Sequence, residues 1–245
     1  MTTSPQKVLT AFVLVLCSVT LGFGAEPNLL NDGGFEQPIA GPGGLNSGYL
    51  AYGSGSTIGG AWFVIGSPFG NVTVTPGTEY SAGLGGIAIQ FPSKEGSQWL
   101  DLTGDTDNGA LTGVEQAFTT VPGQGYSLSF YLGTLNSTDW TPHDGSAAVN
   151  VLLNGIGFQT AINSDASGNT INWKPFSYTF TATGPSTTLG FLNGAVNGVG
   201  VNGLDDIMVV AVPEPKIGTL LVFGLGLFLV TGGRWDRATR CRRKL

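Results

Sequence analysis

Gln116-Ala117-Phe118-Thr119-Thr120-Val121-Pro122-Gly123-Gln124-Gly125-Tyr126-Ser127-Leu128-Ser129-Phe130 is the stretch whose reading decides the fold. On both sides of Pro122-Gly123 apolar and polar residues alternate, the period that puts one face of a strand on a core and the other toward water. Pro122-Gly123 is turn chemistry, with proline pre-setting φ and glycine free to take positive φ. The stretch therefore reads strand, turn, strand. The same alternation recurs outward over Asn71 to Thr75, Gly86 to Phe91, Gln98 to Leu102, Val114 to Thr119 and Tyr126 to Leu132. It continues over Ala147 to Leu153, Phe176 to Thr181, Thr187 to Leu192 and Leu204 to Val212. Pro76-Gly77, Asn154-Gly155 and Gly184-Pro185 are further turn dipeptides, and Asn154-Gly155 predicts a tight hairpin leading into Ile156-Gly157-Phe158. About nine or ten strands in one domain predict an all-β sandwich of two packed antiparallel sheets. The Gly/Ser-rich stretch from Gly41 to Gly60 reads as a long loop, as do Asn136 to Ser146 and Asn163 to Asn172. Such loops lie at sandwich rims, where binding residues concentrate.

Composition supports this class. The 245 residues include 40 Gly and 13 Pro with only 11% charged residues, which disfavours helices. Hydrophobic residues at 41%, with 14 Phe, 6 Tyr and 5 Trp, oppose disorder. Between Glu26 and Val212 stand 14 acidic residues and two basic ones, Lys94 and Lys174, so no phosphate backbone is drawn to this body and nucleic acid is excluded as a partner.

Both ends read as addresses. Lys7, the apolar run from Val8 to Leu21 and the small residues Gly22, Gly24 and Ala25 form a secretory signal peptide, with cleavage expected after Gly24. Cys17 leaves with this leader and Cys241 lies in the tail, so the body from 25 to 212 contains no disulfide and no thiol chemistry. Ile217 to Gly233 carries no charge and is followed by a basic cluster including Arg240, Arg242 and Arg243. That is a short transmembrane helix with a cytoplasmic basic end. Together with Pro213, Glu214 and Pro215 the segment 213–245 resembles the PEP-CTERM sorting signal of Gram-negative bacteria. The resemblance implies an exosortase-type membrane protease as partner, transient anchoring in the inner membrane, and a mature form at the surface or outside the cell.

The body carries a second resemblance. Asn28-Leu29-Leu30-Asn31-Asp32-Gly33-Gly34-Phe35-Glu36, Trp99-Leu100-Asp101-Leu102-Thr103-Gly104, the Gln116–Phe130 stretch and Leu204-Asp205-Asp206-Ile207-Met208-Val209 are similar to a family of secreted, cell-wall-associated modules. These modules have a galactose-binding-like jelly roll. The resemblance implies a jelly-roll sandwich associated with sugar or cell wall. It also implies a structural calcium ion, because in related jelly rolls an early Glu and an Asp of the last strand bind one, and Glu36, Asp205 and Asp206 match those places.

Few residues invite chemistry. His143, the only histidine, reads as a solvated loop residue, and no nucleophile is marked. Asp101, Asp105 and Asp107 superficially resemble a calcium loop, but the closing Glu and flanking helices are missing, so a solvated acidic turn is the plainer reading. No catalytic residue is assigned, since two carboxylates serve a glycosidase only at set separations. Trp99, in an alternating strand, reads as core. Trp140 beside Asp139 is the first candidate for a sugar platform and Trp173 beside Asn172 the second, while either tryptophan alternatively seals an end of the sandwich. The expected function is therefore an exported, non-catalytic surface or exopolysaccharide-matrix protein that contacts glycan. A purely structural, self-associating surface protein is the alternative, and a glycan-active enzyme comes third.

Overall fold

A computed structural model describes residues 26–105, 111–140, 145–195 and 201–213. The expected leader, the transmembrane segment and the sorting-signal residues Glu214, Pro215, Arg240, Arg242 and Arg243 lie outside the described residues, while Pro213 is exposed at their end. Among the described residues no helix is long and apolar enough to cross a membrane.

The described strands follow in chain order as β1 (Leu50–Gly53), β2 (Thr57–Ile58), β3 (Trp62–Gly66), β4 (Asn71–Pro76), β5 (Tyr80–Ala82), β6 (Ala88–Gln90) and β7 (Gln98–Asp101). They continue as β8 (Thr112–Thr119), β9 (Gly125–Thr134), β10 (Ala147–Leu153), β11 (Ile156–Asn163), β12 (Asn172–Thr181), β13 (Ser186–Asn193) and β14 (Asn202–Ala211). Two six-stranded sheets form, ordered β1-β4-β7-β14-β9-β12 and β11-β10-β13-β8-β3-β2, and β5 pairs with β6 in a separate ribbon. All the strand pairings within the two sheets are antiparallel. From β7 onward the chain passes repeatedly between the sheets, giving a jelly-roll sandwich. The Pro122-Gly123 turn makes one of these crossings, from β8 to β9 in the opposite sheet.

Alternation places Leu100, Leu128, Phe130, Leu132 and Leu204 of one sheet against Trp62, Val64, Val149, Val151, Leu189 and Phe191 of the other, all buried. Each such side chain contributes about 1.5–3 kcal/mol on burial. Aromatic contacts bind the layers together: Phe130 meets Phe191 edge-on at 5.1 Å, and Trp62 lies 5.4 Å from Phe35 and 6.3 Å from Phe191.

The Asn28–Glu36 segment clasps the last strand. Asn28 donates through Nδ2 to the Ile207 carbonyl at 2.8 Å and accepts from the Val209 N–H at 2.9 Å, while the Ile207 N–H donates to the Gly33 carbonyl at 3.0 Å. A Cβ at Gly33 would collide with the Ile207 carbonyl oxygen, so glycine is required there.

One expectation is corrected. The stretch from Gly41 to Gly60 is not one long loop, because β1 and β2 form inside it. Leu50 and Tyr52 alternate like any strand and pair with Val74 and Val72, and Gly55 at φ +89° makes the turn between the two strands. Glycine-rich composition masks a strand this short. β3, a four-residue apolar run followed by Gly66, is masked in the same way.

Asn154-Gly155 does form the tight β10–β11 hairpin, with φ of 52° and 77° at the two turn residues. A Cβ at Gly155 would touch nothing within 4 Å, so Gly155→Ala tests backbone conformation alone. It is expected to lower stability by about 1 kcal/mol in urea unfolding, the cost of left-handed backbone for a residue with a Cβ.

Candidate functional site

Three insertions gather over the outer face of the first sheet and build a third layer. The β5–β6 hairpin is the first, its alternation sending Ser81 and Ile89 inward and Tyr80 and Gln90 outward as directly opposed partners. Residues 164–171 are the second: the Gln90 N–H donates to the Asn169 carbonyl at 2.8 Å and the Ile171 N–H to the Gln90 carbonyl at 3.1 Å. The Asn136–Trp140 loop is the third, with the Asn136 carbonyl accepting from the Ser167 N–H at 3.0 Å and Asn136 Nδ2 donating to the Ser164 carbonyl at 3.0 Å. A second core of Ile89, Phe91, Trp99, Leu135, Ile171 and Val201 lies beneath.

The structure places the sequence-derived residues unequally around this layer. Trp173 is half-buried in the second core: it meets Trp99 edge-on at 5.7 Å and donates its indole N–H to the Pro92 carbonyl at 2.9 Å. It lies across Gly133 and Gly203, where any Cβ would approach its ring to 2.7 and 2.8 Å. Trp99 is core, as expected. Asn172 stands opposite Thr134 in the β9–β12 register, and its carbonyl accepts from Asn163 Nδ2 at 3.0 Å. Asp139 and Trp140 close a short turn against the hairpin tip, where the Asp139 carbonyl oxygen comes within 2.8 Å of a Cβ position at Gly83. The exposed side chains of Leu84 and Ile87 lie on that tip.

An open cleft of about 440 Å³ crosses the outer side of the hairpin, lined by Thr78, Tyr80, Ala88, Gln90 and Pro92 among others. Tyr80 is 41% exposed there and Gln90 stands beside it across the strand pair. An aromatic face next to a side-chain amide is the combination that receives a sugar ring, one for its C–H surface and the other for its hydroxyls. Sequence reading missed Tyr80 and Gln90. The signal was the alternation Glu79-Tyr80-Ser81-Ala82 between Pro76-Gly77 and Gly83, too short to stand out among glycine turns.

The residues expected to hold calcium converge in part. Around the Cβ position of Gly34 lie Glu95 Oε2 at 2.7 Å, Asp205 Oδ1 at 3.7 Å and Glu36 Cγ at 3.8 Å. Asp205 is fully buried; its Oδ2 accepts from the Lys94 and Glu95 N–H groups at 2.8 and 3.0 Å, and its Oδ1 from the Asp206 N–H at 2.7 Å. Burial pushes its carboxyl up to about 7 against the pull of those donors. Glu36 accepts from the Ser97 N–H and hydroxyl and the Gln98 N–H at 2.9, 2.7 and 3.1 Å. Asp206 sits at φ +50° within the irregularity where β14 pairs with β9. Among the described residues no group of three or more His, Cys, Asp or Glu side chains is arranged to hold a metal ion. The corner supplies hard oxygens of the type calcium takes, turned here toward N–H and O–H donors.

No protein-family profile matches the chain, and no curated protein does. Solved structures with some likeness include a CBM4 module, with TM-score 0.41 and 14% identity over 75% of this chain and 99% of that one. TmCBM61, solved in complex with β-1,4-galactotriose, has TM-score 0.42 and 14% identity over 76% and 99% of the two chains. The CBM22-1 xylan-binding domain of Xyn10C from Paenibacillus barcinonensis has TM-score 0.36 and 15% identity over 68% and 95%. Likeness at this level adds no weight: the fold stands on the strand order and register described above, and no ligand is transferred from these proteins to this chain.

Proposed function

We propose that the chain is an exported, non-catalytic protein of the bacterial surface or extracellular polysaccharide matrix, and that its third layer binds glycan. The observation that carries this reading is the open cleft in which Tyr80 offers a ring face beside the Gln90 amide. Such a groove receives a polysaccharide chain from the side rather than engulfing a small molecule. The Asp139–Trp140 turn abuts the same hairpin. The signal-peptide leader and the PEP-CTERM-like tail support export, transient anchoring and processing by an exosortase-type protease. A calcium ion at the Glu36–Asp205 corner belongs to the proposal, supported by the approach of the Glu95 and Asp205 carboxylate oxygens, with the Glu36 side-chain stem, around Gly34; bound there, it would neutralise the buried charge and tie the N-terminal clasp to β14.

Affinity electrophoresis of the full-length protein through polysaccharide-loaded gels tests the glycan reading. Tyr80→Ala and Trp140→Ala are each expected to weaken retardation about tenfold, the loss of one stacking contact. Retardation equal to wild type in both variants contradicts this location.

Self-association is a second reading, favoured by β11. This sheet edge is eight residues long with neither charge nor proline, and it exposes Ile156 and Ile162, whereas edge strand β12 is interrupted by Lys174 and Pro175. Ile162→Lys is expected to shift any concentration-dependent assembly toward monomer in sedimentation velocity. Unchanged assembly would remove β11 as its cause.

A further inference from the structure

Three turns and the end of β14 close one end of the sandwich, and the chain leaves the body there. The Val212 N–H donates to the Gly125 carbonyl at 2.9 Å, and Gln124 Nε2 donates to the Val212 carbonyl at 2.6 Å. The Gln124 N–H donates to the Val121 carbonyl at 3.1 Å, and the Gln124 carbonyl accepts from the Ala182 N–H at 3.0 Å. Ala182 in turn lines an open cleft of about 270 Å³, with Leu153, Ile156, Phe158, Phe180 and Thr183 among others. One continuous surface therefore joins Val121, Ile156 and Val212, which are 62%, 73% and 40% exposed.

Charge is missing from this surface. The segments that build it, 118–125, 153–158, 180–187 and 211–213, contain no Asp, Glu, Lys or Arg, although the body carries 14 acidic residues against two basic ones. Exposed Glu26 lies nearby in the N-terminal arm, three positions before Leu29, whose N–H donates to the Val209 carbonyl at 2.8 Å. The opposite end differs. Strand β9 runs from Gly125 to Thr134 and β11 from Ile156 to Asn163, so the Asn136–Trp140 loop and residues 164–171 leave the sheets about 25–30 Å away. Asp139, Asp165 and Lys174 belong to that end.

Only Glu214, Pro215 and Lys216 separate Pro213 from the uncharged run Ile217 to Gly233, and the two charges among them cancel. Four residue steps reach at most about 14 Å when fully extended, and a headgroup layer takes about 6 Å of that, which leaves the body within about 8 Å of the lipid. At such a distance, about one Debye length, anionic headgroups repel a surface with the average charge of this body. They do not repel this end.

We propose that the uncharged end is a lipid-facing surface, resting on the bilayer headgroups through Val121, Ile156 and Val212 while the 217–233 segment spans the membrane. The proposal rests on the reading of that segment as the membrane anchor. It turns the loops of the third layer away from the membrane. Three exposed aliphatic side chains hold a bilayer only weakly without an anchor, so removal of the tail frees the body.

The test uses residues 25–245, which keep every described residue and lack only the expected leader, with Cys241→Ser and one fluorophore on Thr183→Cys or Ala166→Cys. Thr183 is exposed at the proposed lipid face and Ala166 at the opposite end. The protein is reconstituted into vesicles of phosphatidylethanolamine with a quarter of phosphatidylglycerol. A nitroxide on the lipid headgroup is expected to quench the Thr183 label about fivefold more than the Ala166 label, given the ~25 Å between the two ends. Val121→Glu with Ile156→Glu, folded by circular dichroism, is expected to lower quenching at Thr183 about threefold or more, because the anionic surface repels each added charge. Flotation separates the two readings: protein that does not float with the vesicles overturns the anchor and this proposal with it. Protein that floats but is quenched equally at both labels overturns the lipid-facing end alone. So does a double variant quenched as strongly as its parent, since the tether by itself then holds the end near the lipid.

Discussion

Trp62→Ala is expected to destabilise the protein by about 3–5 kcal/mol, a large share of what holds a domain of this size folded. The indole is fully buried where the two sheets and the N-terminal clasp meet, against Phe35 and Phe191. Its N–H donates to the Asp32 carbonyl at 2.9 Å, so truncation opens a cavity and strips an acceptor in one step. Trp62→Phe keeps part of the volume and loses the bond, and should cost about 1–3 kcal/mol. Urea unfolding followed by circular dichroism measures both. A loss below about 1 kcal/mol for the alanine variant would mean that the clasp does not depend on this residue.

The second large effect is on pH dependence. In chelator, stability should fall as pH rises from about 4 to 7. Asp205 and Glu79 titrate near 7 in the folded chain against ordinary values of 3.8 and 4.5. Within that window the folded state keeps two protons that the unfolded chain has released, so raising the pH favours unfolding. The stabilisation is complete below the unfolded values and gone once pH has passed the folded ones. With about 1.4 kcal/mol for every pH unit that separates the folded from the unfolded value, Asp205 contributes on the order of 4 kcal/mol and Glu79, partly screened by solvent, about 3 kcal/mol or less. Glu79→Gln and Asp205→Asn should each flatten their share of the slope. A Tm that is flat or rising over the window would contradict both assignments.

Strand and turn chemistry made most of the sandwich legible beforehand. Alternation located the strands that pair across the core, and Asn154-Gly155 located its hairpin, because both signals are local. The third layer was legible only in part: Gly86 to Phe91 read as a strand and contains β6, but its partner β5 did not stand out. Its hairpin pairs three residues with three, and what helps to bury Ile89 and Phe91 is Ile171 and Trp173, far away in sequence. The same distance explains the site residues. Trp173 has the polar neighbours of a surface platform in the chain but is half-buried across Gly133 and Gly203, two glycines from different strands. Tyr80 had no sequence mark beyond one short alternation, and Glu79 looked like any acidic residue in a loop. Glu36 and Asp205 were identified only through resemblance. Their approach around Gly34 depends on the clasp, which brings the two ends of the body together.

The most direct measurement is a glycan array probed with full-length wild-type protein and Tyr80→Ala side by side, each with calcium and with chelator. Saturable binding to a polysaccharide class by wild type, reduced about tenfold or more in the equally folded variant, is the predicted result. Wild-type protein that is folded by circular dichroism and binds nothing on the array, in either condition, would contradict the glycan-binding account and leave self-association as the function to pursue.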